Sequence, residues 1–492
     1  RVTTALARQT APMLIWSAIL ILTAASFALF RLGRAMALAG VGGRQAELHS
    51  LPGYHGLFVA LWAAAPAIIV LLLISAFAGR IETALVSANP PAVVAALPAE
   101  RSELFWHDVI AVGSGDAPSH VDYEPALKTA LAAEAKEAVG VIWMVRIVAV
   151  GVALLLAGGG FVYAYPRINA AFRARNRVEA WVGVLLGGCA LIAVLGTVGI
   201  VASLAVESWR FFQSASPIDF IFGLQWSPQI AMRTDQVAAT GAFGAVPLFA
   251  GTFLITFIAM LVAAPVGLYA AIYLSEYASD RTRAVVKPAL EILAGVPTVV
   301  YGFFAALTVG PLFRAGFNAL GATMVGGPMN DLGLYLSQVQ NQMALVAGAV
   351  MGIMLIPFVS SLSDDIINAV PQSLRDGSYA MGATKSETVK RVVLPAALPG
   401  VMAAMLLAVS RAVGETMIVT LAAGLQAKLT ANPLETVTTV TVQIVTLLTG
   451  DQEFDSPKAL SAFGLALALF LVTLGLNVVA HHIVRRFREQ YD

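Results

Sequence analysis

Pro371-Gln-Ser-Leu-Arg-Asp-Gly-Ser-Tyr-Ala-Met-Gly-Ala-Thr-Lys-Ser-Glu-Thr-Val-Lys-Arg-Val-Val-Leu-Pro395 is a polar run set between two apolar blocks, residues 343–360 and 396–423. It predicts two short helices, about 372–381 and 385–393, parted at Gly382-Ala383, where glycine allows φ > 0 and a sharp turn. A compact helix–turn–helix of this kind moves as one body when pushed. The first helix offers Leu374, Tyr379 and Met381 with few charges, a surface suited to a groove on another protein. Lys385, Glu387, Lys390 and Arg391 are expected towards the membrane side.

The two flanking blocks belong to a series of nine: 11–30, 54–78, 147–165, 181–206, 246–274, 290–312, 343–360, 396–423 and 460–484. The chain of 492 residues is 58% apolar and 12% charged, against roughly 45–50% and 25% in soluble domains. Blocks of about 20 apolar residues cross a hydrocarbon layer about 30 Å thick. The chain is therefore an all-α, polytopic membrane protein. A net charge of +1, with basic residues clustered beside apolar blocks, excludes nucleic acid as a partner. Cys189, the one cysteine, permits neither a disulfide framework nor a thiolate metal site and is expected as a small buried side chain. His49, His55, His107 and His120 lack metal-ligand spacing, and His481 and His482 read as a solvated or headgroup-facing pair. No cofactor is called for.

Arg167, Arg173, Arg175 and Arg177 outweigh Glu179 between the third and fourth blocks, which places that linker in the cytoplasm. Alternation then puts 276–287, 361–395 and the tail with Arg485, Arg486 and Arg488 inside, and 207–244, 314–342 and 425–459 outside. Residues 79–146, with nine acidic against five basic residues, fall outside as a small domain or long loop. The N-terminus also falls outside, on Arg31, Arg34 and Arg44 against Arg1 and Arg8. Two parts are expected: an N-terminal extension of about three spans over 1–178, and a six-span core over 179–492. Pro265, Pro297 and Pro357 sit in or beside apolar blocks of the core, where breaks free backbone groups that a transport path or helix packing can use.

Asp376-Gly377-Ser378, then Gly382, then Val392 and Leu394-Pro395 resemble the EAA loop of ABC importer permeases: Glu-Ala-Ala, three residues, Gly, nine residues, Ile, one residue, Leu-Pro. The spacing is met throughout, with Asp for Glu, Gly-Ser for Ala-Ala and Val for Ile. The resemblance implies a six-helix type I importer core in which Asp376, Gly377, Ser378, Tyr379, Ala380, Met381, Gly382 and Ala383 form the coupling helix and turn that dock on an ATPase. Gly251-Thr, Ala271-Ile-Tyr-Leu-Ser-Glu-Tyr277, Leu293-Ala-Gly-Val-Pro-Thr-Val-Val-Tyr-Gly302, Arg411-Ala-Val-Gly-Glu-Thr-Met417 and Gly424 resemble the PstC-type phosphate permeases. The likeness covers about 179–492. The N-terminal part, with Leu48-His-Ser-Leu-Pro-Gly-Tyr-His-Gly56, is similar to the extension of a longer bacterial form.

Within apolar block 396–423, Arg411 and Glu415 cannot face lipid without cost. Their i,i+4 spacing places them on one helix face, where the carboxylate could hold the guanidinium while an anion path is empty. A purely structural ion pair is the rival reading. Tyr301 and Thr416 are the further candidates for the path, and Gly295, Pro297, Gly302 and Pro395 for helix breaks and packing. Glu276 and Arg314 read as interfacial charges.

A Gly-x-x-x-x-Gly-Lys-Ser/Thr loop is absent, so ATP must be hydrolysed on another subunit. The resemblance implies a PstA-type second permease, a PstB-type ATPase dimer, a PstS-type periplasmic phosphate-binding protein, phosphate as cargo, and the bacterial inner membrane with its lipid. The alternatives are the same fold carrying sulfate, molybdate or phosphonate, and a membrane scaffold that senses phosphate. A membrane enzyme lacks the clustered His, Asp, Glu or Ser it would need.

Overall fold

The computed structural model describes residues 2–119, 123–228, 242–449 and 456–488. Arg1 and His120 lie outside these, as do the side chains of Arg8, Arg485, Arg486 and Arg488. Among the described residues nine helices are long and apolar enough to cross a membrane. They are α1 Leu14–Ala39, α2 Pro52–Val86, α3 Pro125–Arg167, α4 Ala174–Ser214, α5 Val246–Tyr277, α6 Thr298–Met324, α7 Ala344–Asn368, α8 Lys385–Val413 and α9 Pro457–Ile483. Backbone N–H and C=O groups find no water in hydrocarbon, and helices satisfy them internally.

Two apolar blocks are divided in the structure, which corrects their expected extents. Residues 290–294 close a separate helix, Asp280–Ala294, and α6 starts only at Thr298. Pro297 between them has no N–H with which to continue a helix. Block 396–423 divides at Gly414-Glu415-Thr416, where helix Leu394–Val413 stops and the short helix Met417–Ala422 begins. The spans also contain π-turns, Tyr273–Tyr277 closing α5, Ala305–Val309 in α6 and Val389–Val393 in α8. Such turns interrupt the regular hydrogen-bond ladder and concentrate at functional places.

The chain folds as two compact units, residues 1–194 and 195–492. In the first, α1, α2 and α3 meet around Ile15, Leu22, Ala67, Leu71, Ala149 and Ala153. Alanines there let the backbones approach closely, which is how dispersion holds helices together in lipid. The segment expected outside is helical: α2 runs on to Val86, helices Ala92–Ala95 and Ala99–Ser114 follow, and α3 rises from Pro125. Val94, Phe105, Trp106, Val109, Leu131 and Ile142 give it a core. Beside that core the buried Asp108 accepts hydrogen bonds from Ser119 N, Ser119 Oγ and the Tyr123 hydroxyl at 2.8, 2.6 and 2.8 Å. Burial alone would raise the carboxyl pKa, but the three donors outweigh it and hold it low. Burial and the bonded carboxylate push the Tyr123 phenol up to about 12. Cys189, expected to be buried, is exposed on α4, because that helix buries nothing along its most apolar stretch.

In the second unit α7 is the most enclosed span. Ala347, Val350, Met351 and Val359 pack against Ile255, Ile258 and Ala259 of α5, and Ala408, Ala412, Ile418 and Val419 close the same core. Helix α9 is tied to α8 by Ser410 Oγ donating to Asn477 Oδ1 at 2.9 Å. Trp226–Ser227 and Ala242–Phe243 form a two-residue antiparallel pair.

Candidate translocation and coupling sites

The loop between α7 and α8 forms helix Gln372–Ala380 and, after a turn, Lys385–Thr388. Gly382 makes the turn at φ +85°, a conformation that L side chains rarely adopt. Its N–H donates to the Tyr379 carbonyl at 2.9 Å, and Ala383 N–H donates to the Ser378 carbonyl at 3.2 Å. Thr384 and Glu387 then build a reciprocal capping box that starts the second helix. Ser378 and Thr388 hydroxyls meet at 2.8 Å and join the two helices. Of the residues expected to dock on another protein, Asp376, Gly377, Tyr379, Ala380, Met381 and Gly382 are exposed, Met381 at 89%; Ser378 and Ala383 are half-buried.

One residue of this helix points the other way. Arg375 is buried, and its Nε and Nη2 donate to Glu276 Oε1 at 3.1 and 3.0 Å. Nη1 and Nη2 also donate to the carbonyls of Val370 and Ile367 at 2.6 and 2.8 Å. Glu276 belongs to the π-turn closing α5. A charge removed from water must be paired and hydrogen-bonded, and this one meets a carboxylate and two carbonyls. A second knot lies beside it. Asp364, 1% exposed at the end of α7, accepts from Arg283 Nη2 at 3.1 and 3.0 Å, Lys287 Nζ at 2.9 Å and Asn368 Nδ2 at 2.9 Å. Lys287 also donates to Asp365 at 2.9 Å, and the bonds to Asp365 and Asp364 raise its pKa. The apolar face of Gln372–Ala380 is thus free, while its one inward side chain ties it to α5, and helix Asp280–Ala294 is tied to α7.

The path candidates are arranged differently from the expected i,i+4 pair. Arg411 lies in the last turn of helix Leu394–Val413, exposed, with Cζ 5.2 Å from the centroid of the Phe358 ring. Glu415 lies past the end of that helix, so the two side chains do not share a helical face. Its Oε1 instead accepts from the N–H groups of Met417 and Ile418 at 3.0 and 3.4 Å, opening helix Met417–Ala422. Its carbonyl accepts from Thr441 Oγ1 at 2.8 Å. Among the described residues no carboxylate pairs with Arg411. Thr416 is half-buried, its hydroxyl 3.5 Å from the Gly414 carbonyl.

Tyr301 donates its hydroxyl to the Leu293 carbonyl at 3.1 Å, across the break made by Gly295 and Pro297, and packs its ring on the core. Gly295 caps helix Asp280–Ala294 and Pro297 opens α6. Gly302 seats α6 on the short helix: a Cβ there would meet Leu421 Cδ1 at 2.7 Å and the Met417 carbonyl at 3.1 Å. Pro395 stands in the first turn of helix Leu394–Val413. The structure therefore brings Gly302 and Met417 together, and leaves Arg411 apart from Glu415.

Two family models match the chain: "Phosphate ATP-binding cassette transporter" over residues 18–196, and "Binding-protein-dependent transport system inner membrane component" over residues 263–489. A probable ABC transporter permease, YqgH of Bacillus subtilis, is 33% identical over 62% of this chain and 90% of its own length. The phosphate transport system permease protein PstC of Mesorhizobium japonicum is 30% identical over 65% of this chain and 90% of its own. The chain belongs to the PstC-type permease family. Among solved structures, an inward-facing methionine ABC transporter, MetNI, aligns at 19% identity with 50% of this chain and 94% of its own, with a TM-score of 0.34. This PstC-type chain is a multi-pass ABC importer permease of the bacterial inner membrane.

The residues of this PstC-type chain, taken in order, did not reveal the two ion-pair knots. Glu276 read as an interfacial charge, and Arg375, Asp364, Arg283 and Lys287 drew no notice. The available signal was a carboxylate pair, Asp364-Asp365, placed directly after an apolar block with no adjacent base, which demands partners from elsewhere.

Proposed function

We propose that this chain is the permease subunit of a high-affinity importer of inorganic phosphate. The observation that carries the reading is Arg411, a guanidinium within an apolar span that no carboxylate of the described chain neutralises. A planar donor fork suits a tetrahedral oxyanion, and relatives bear the name phosphate transport permease. Arg411, Thr416 and the Gly414–Thr416 break line the path at an interface with a PstA-type second permease. Glu415 shapes the break by holding the next helix, and Tyr301 braces the opposite break at Pro297. A PstS-type protein delivers phosphate from outside. A PstB-type ATPase dimer docks on the exposed face of 376–383, and its closure moves that helix.

Arg375 then conveys the movement to α5 through Glu276, because a fully bonded buried pair resists separation. ATP-bound and empty ATPase dimers hold the loop in different positions, and that difference in contact energy shifts the permease between inward- and outward-open states. The test is uptake of labelled phosphate by cells lacking the gene, complemented with the chain, with sulfate, molybdate and phosphonate as competitors. Restored uptake that only phosphate competes supports the reading. Restored uptake of another oxyanion alone keeps the importer and removes phosphate, and no uptake defect on deletion favours a sensing scaffold.

A further inference from the structure

The N-terminal unit carries a cavity of about 280 Å³ at the junction of α2, the end of α3 and the start of α4. It is smaller than the roughly 300–1,000 Å³ of drug-sized pockets, so it takes a headgroup and not a whole lipid. Its walls are aromatic. Trp62 lies 4.4 Å from Tyr163 and 5.2 Å, edge-on, from Trp181, centroid to centroid. The indole N–H of Trp62 is buried and has no acceptor among the described residues, although a buried indole donor ordinarily finds one.

Two arginines complete the lining. The Arg167 guanidinium lies 3.5 Å above the Tyr163 ring and donates to the Tyr163 carbonyl, which fixes it in place. Arg177 has no carboxylate partner among the described residues. The acids on this face are already engaged: Glu179 holds Arg175 at 2.6 Å and Glu47 holds Arg44 at 3.0 Å. A cavity lined by two guanidinium groups and no carboxylate selects an anionic phosphate ester over a zwitterion or a cation. The basic excess of the 166–180 linker sets this end at the cytoplasmic surface. There, basic pockets between spans meet anionic headgroups. Val184, at the edge of the cavity, and Leu191, two turns on along the same face of α4, are 69% and 57% exposed, an apolar track along that helix that an acyl chain can follow.

We propose that this cavity binds the phosphate headgroup of an anionic phospholipid of the inner leaflet, anchoring the N-terminal unit to lipid of that charge. Free phosphate offers the same anion but no chain to occupy the aromatic wall and the α4 track, so the lipid is the favoured source.

The test is native mass spectrometry of the full chain released from nanodiscs of phosphatidylcholine mixed with phosphatidylglycerol, with and without added inorganic phosphate. Wild type is expected to retain phosphatidylglycerol over phosphatidylcholine by about tenfold or more, the ratio that one lost charge-assisted contact would erase. Arg167→Gln/Arg177→Gln is expected to lose the preference, and Arg34→Gln/Arg173→Gln, on the same face but outside the cavity, to keep it. Val184→Trp, which fills the cavity without altering charge, is expected to lose retention and remains informative if the double arginine variant does not fold. Unchanged retention in both cavity variants would overturn the site, and displacement by inorganic phosphate would make it a free-anion site instead.

Discussion

Arg375 stands just before α8 and Arg411 in its last turn, and their surroundings treat them in opposite ways. Arg375 is buried, and its guanidinium meets one carboxylate and two carbonyls. Arg411 is exposed beside Phe358, and the nearest acid in sequence, Glu415, turns its carboxylate to backbone N–H groups. A guanidinium facing lipid would cost about 3 kcal/mol or more, so the surface on which Arg411 is exposed must meet protein or water. Complete satisfaction is what a side chain that holds two elements together requires. A charge left open in an apolar span is what an anion or a second subunit can use.

The sharpest way to break this contrast is to remove the closed arginine. Arg375→Met leaves Glu276 buried without its cation, which should lower stability by about 3–5 kcal/mol and abolish uptake, measured by thermal unfolding of the purified protein and by transport. Adding Glu276→Gln should return most of the stability. If uptake stays lost in that stable double variant, the pair transmits movement; if uptake returns with stability, the pair only holds the fold. Arg411→Gln should do the reverse. Stability should stay within experimental error of wild type, while uptake falls about 10–100-fold, as expected for one charge-assisted contact to the cargo. An Arg411→Gln protein that assembles and transports normally would refute its place in the path.

The coupling face is the third comparison, and its effect is smaller because it is spread over several exposed residues. Met381→Asp puts a charge on the most exposed apolar side chain of the turn. It should weaken co-purification with the ATPase about tenfold with the unfolding temperature unchanged. Normal association would move the docking surface away from 376–383.

How far the sequence reaches follows from the same residues. Spans were legible because twenty apolar residues in a row have one physical solution, and the Gly382 turn because glycine adopts the positive φ that L side chains rarely do. The break at Pro297 was legible in the proline itself, and the one at Gly414 was not. Hydropathy does not register that Glu415 can bond the backbone two and three residues on. That bonding leaves Arg411, expected to pair with Glu415, without a carboxylate among the described residues. The knots at Arg375 and Asp364 join residues 99 and 81 positions apart, and such pairings are created only by helix packing.

The smallest effect belongs to Lys287, and it separates the two cations that share Asp364. Arg283 holds both oxygens of Asp364, so Lys287→Gln should cost only about 1 kcal/mol. The Lys287 pKa is raised by Asp365 and Asp364, above an unfolded value of about 10.4. A raised pKa means that the folded state binds the proton more tightly. Its contribution is therefore complete below about pH 10 and is lost only as pH climbs through the folded value. The difference in unfolding temperature between wild type and Lys287→Gln should be flat from about pH 6 to pH 9 and shrink above about pH 10. In Arg283→Gln, where Lys287 is the cation left on Asp364 beside the Asn368 amide, the same rise in pH should bring a steeper loss of stability. A wild-type difference that already narrows between about pH 7 and pH 9 would mean that the ammonium is not held by the two aspartates. The tie between helix Asp280–Ala294 and α7 would then rest on Arg283 alone.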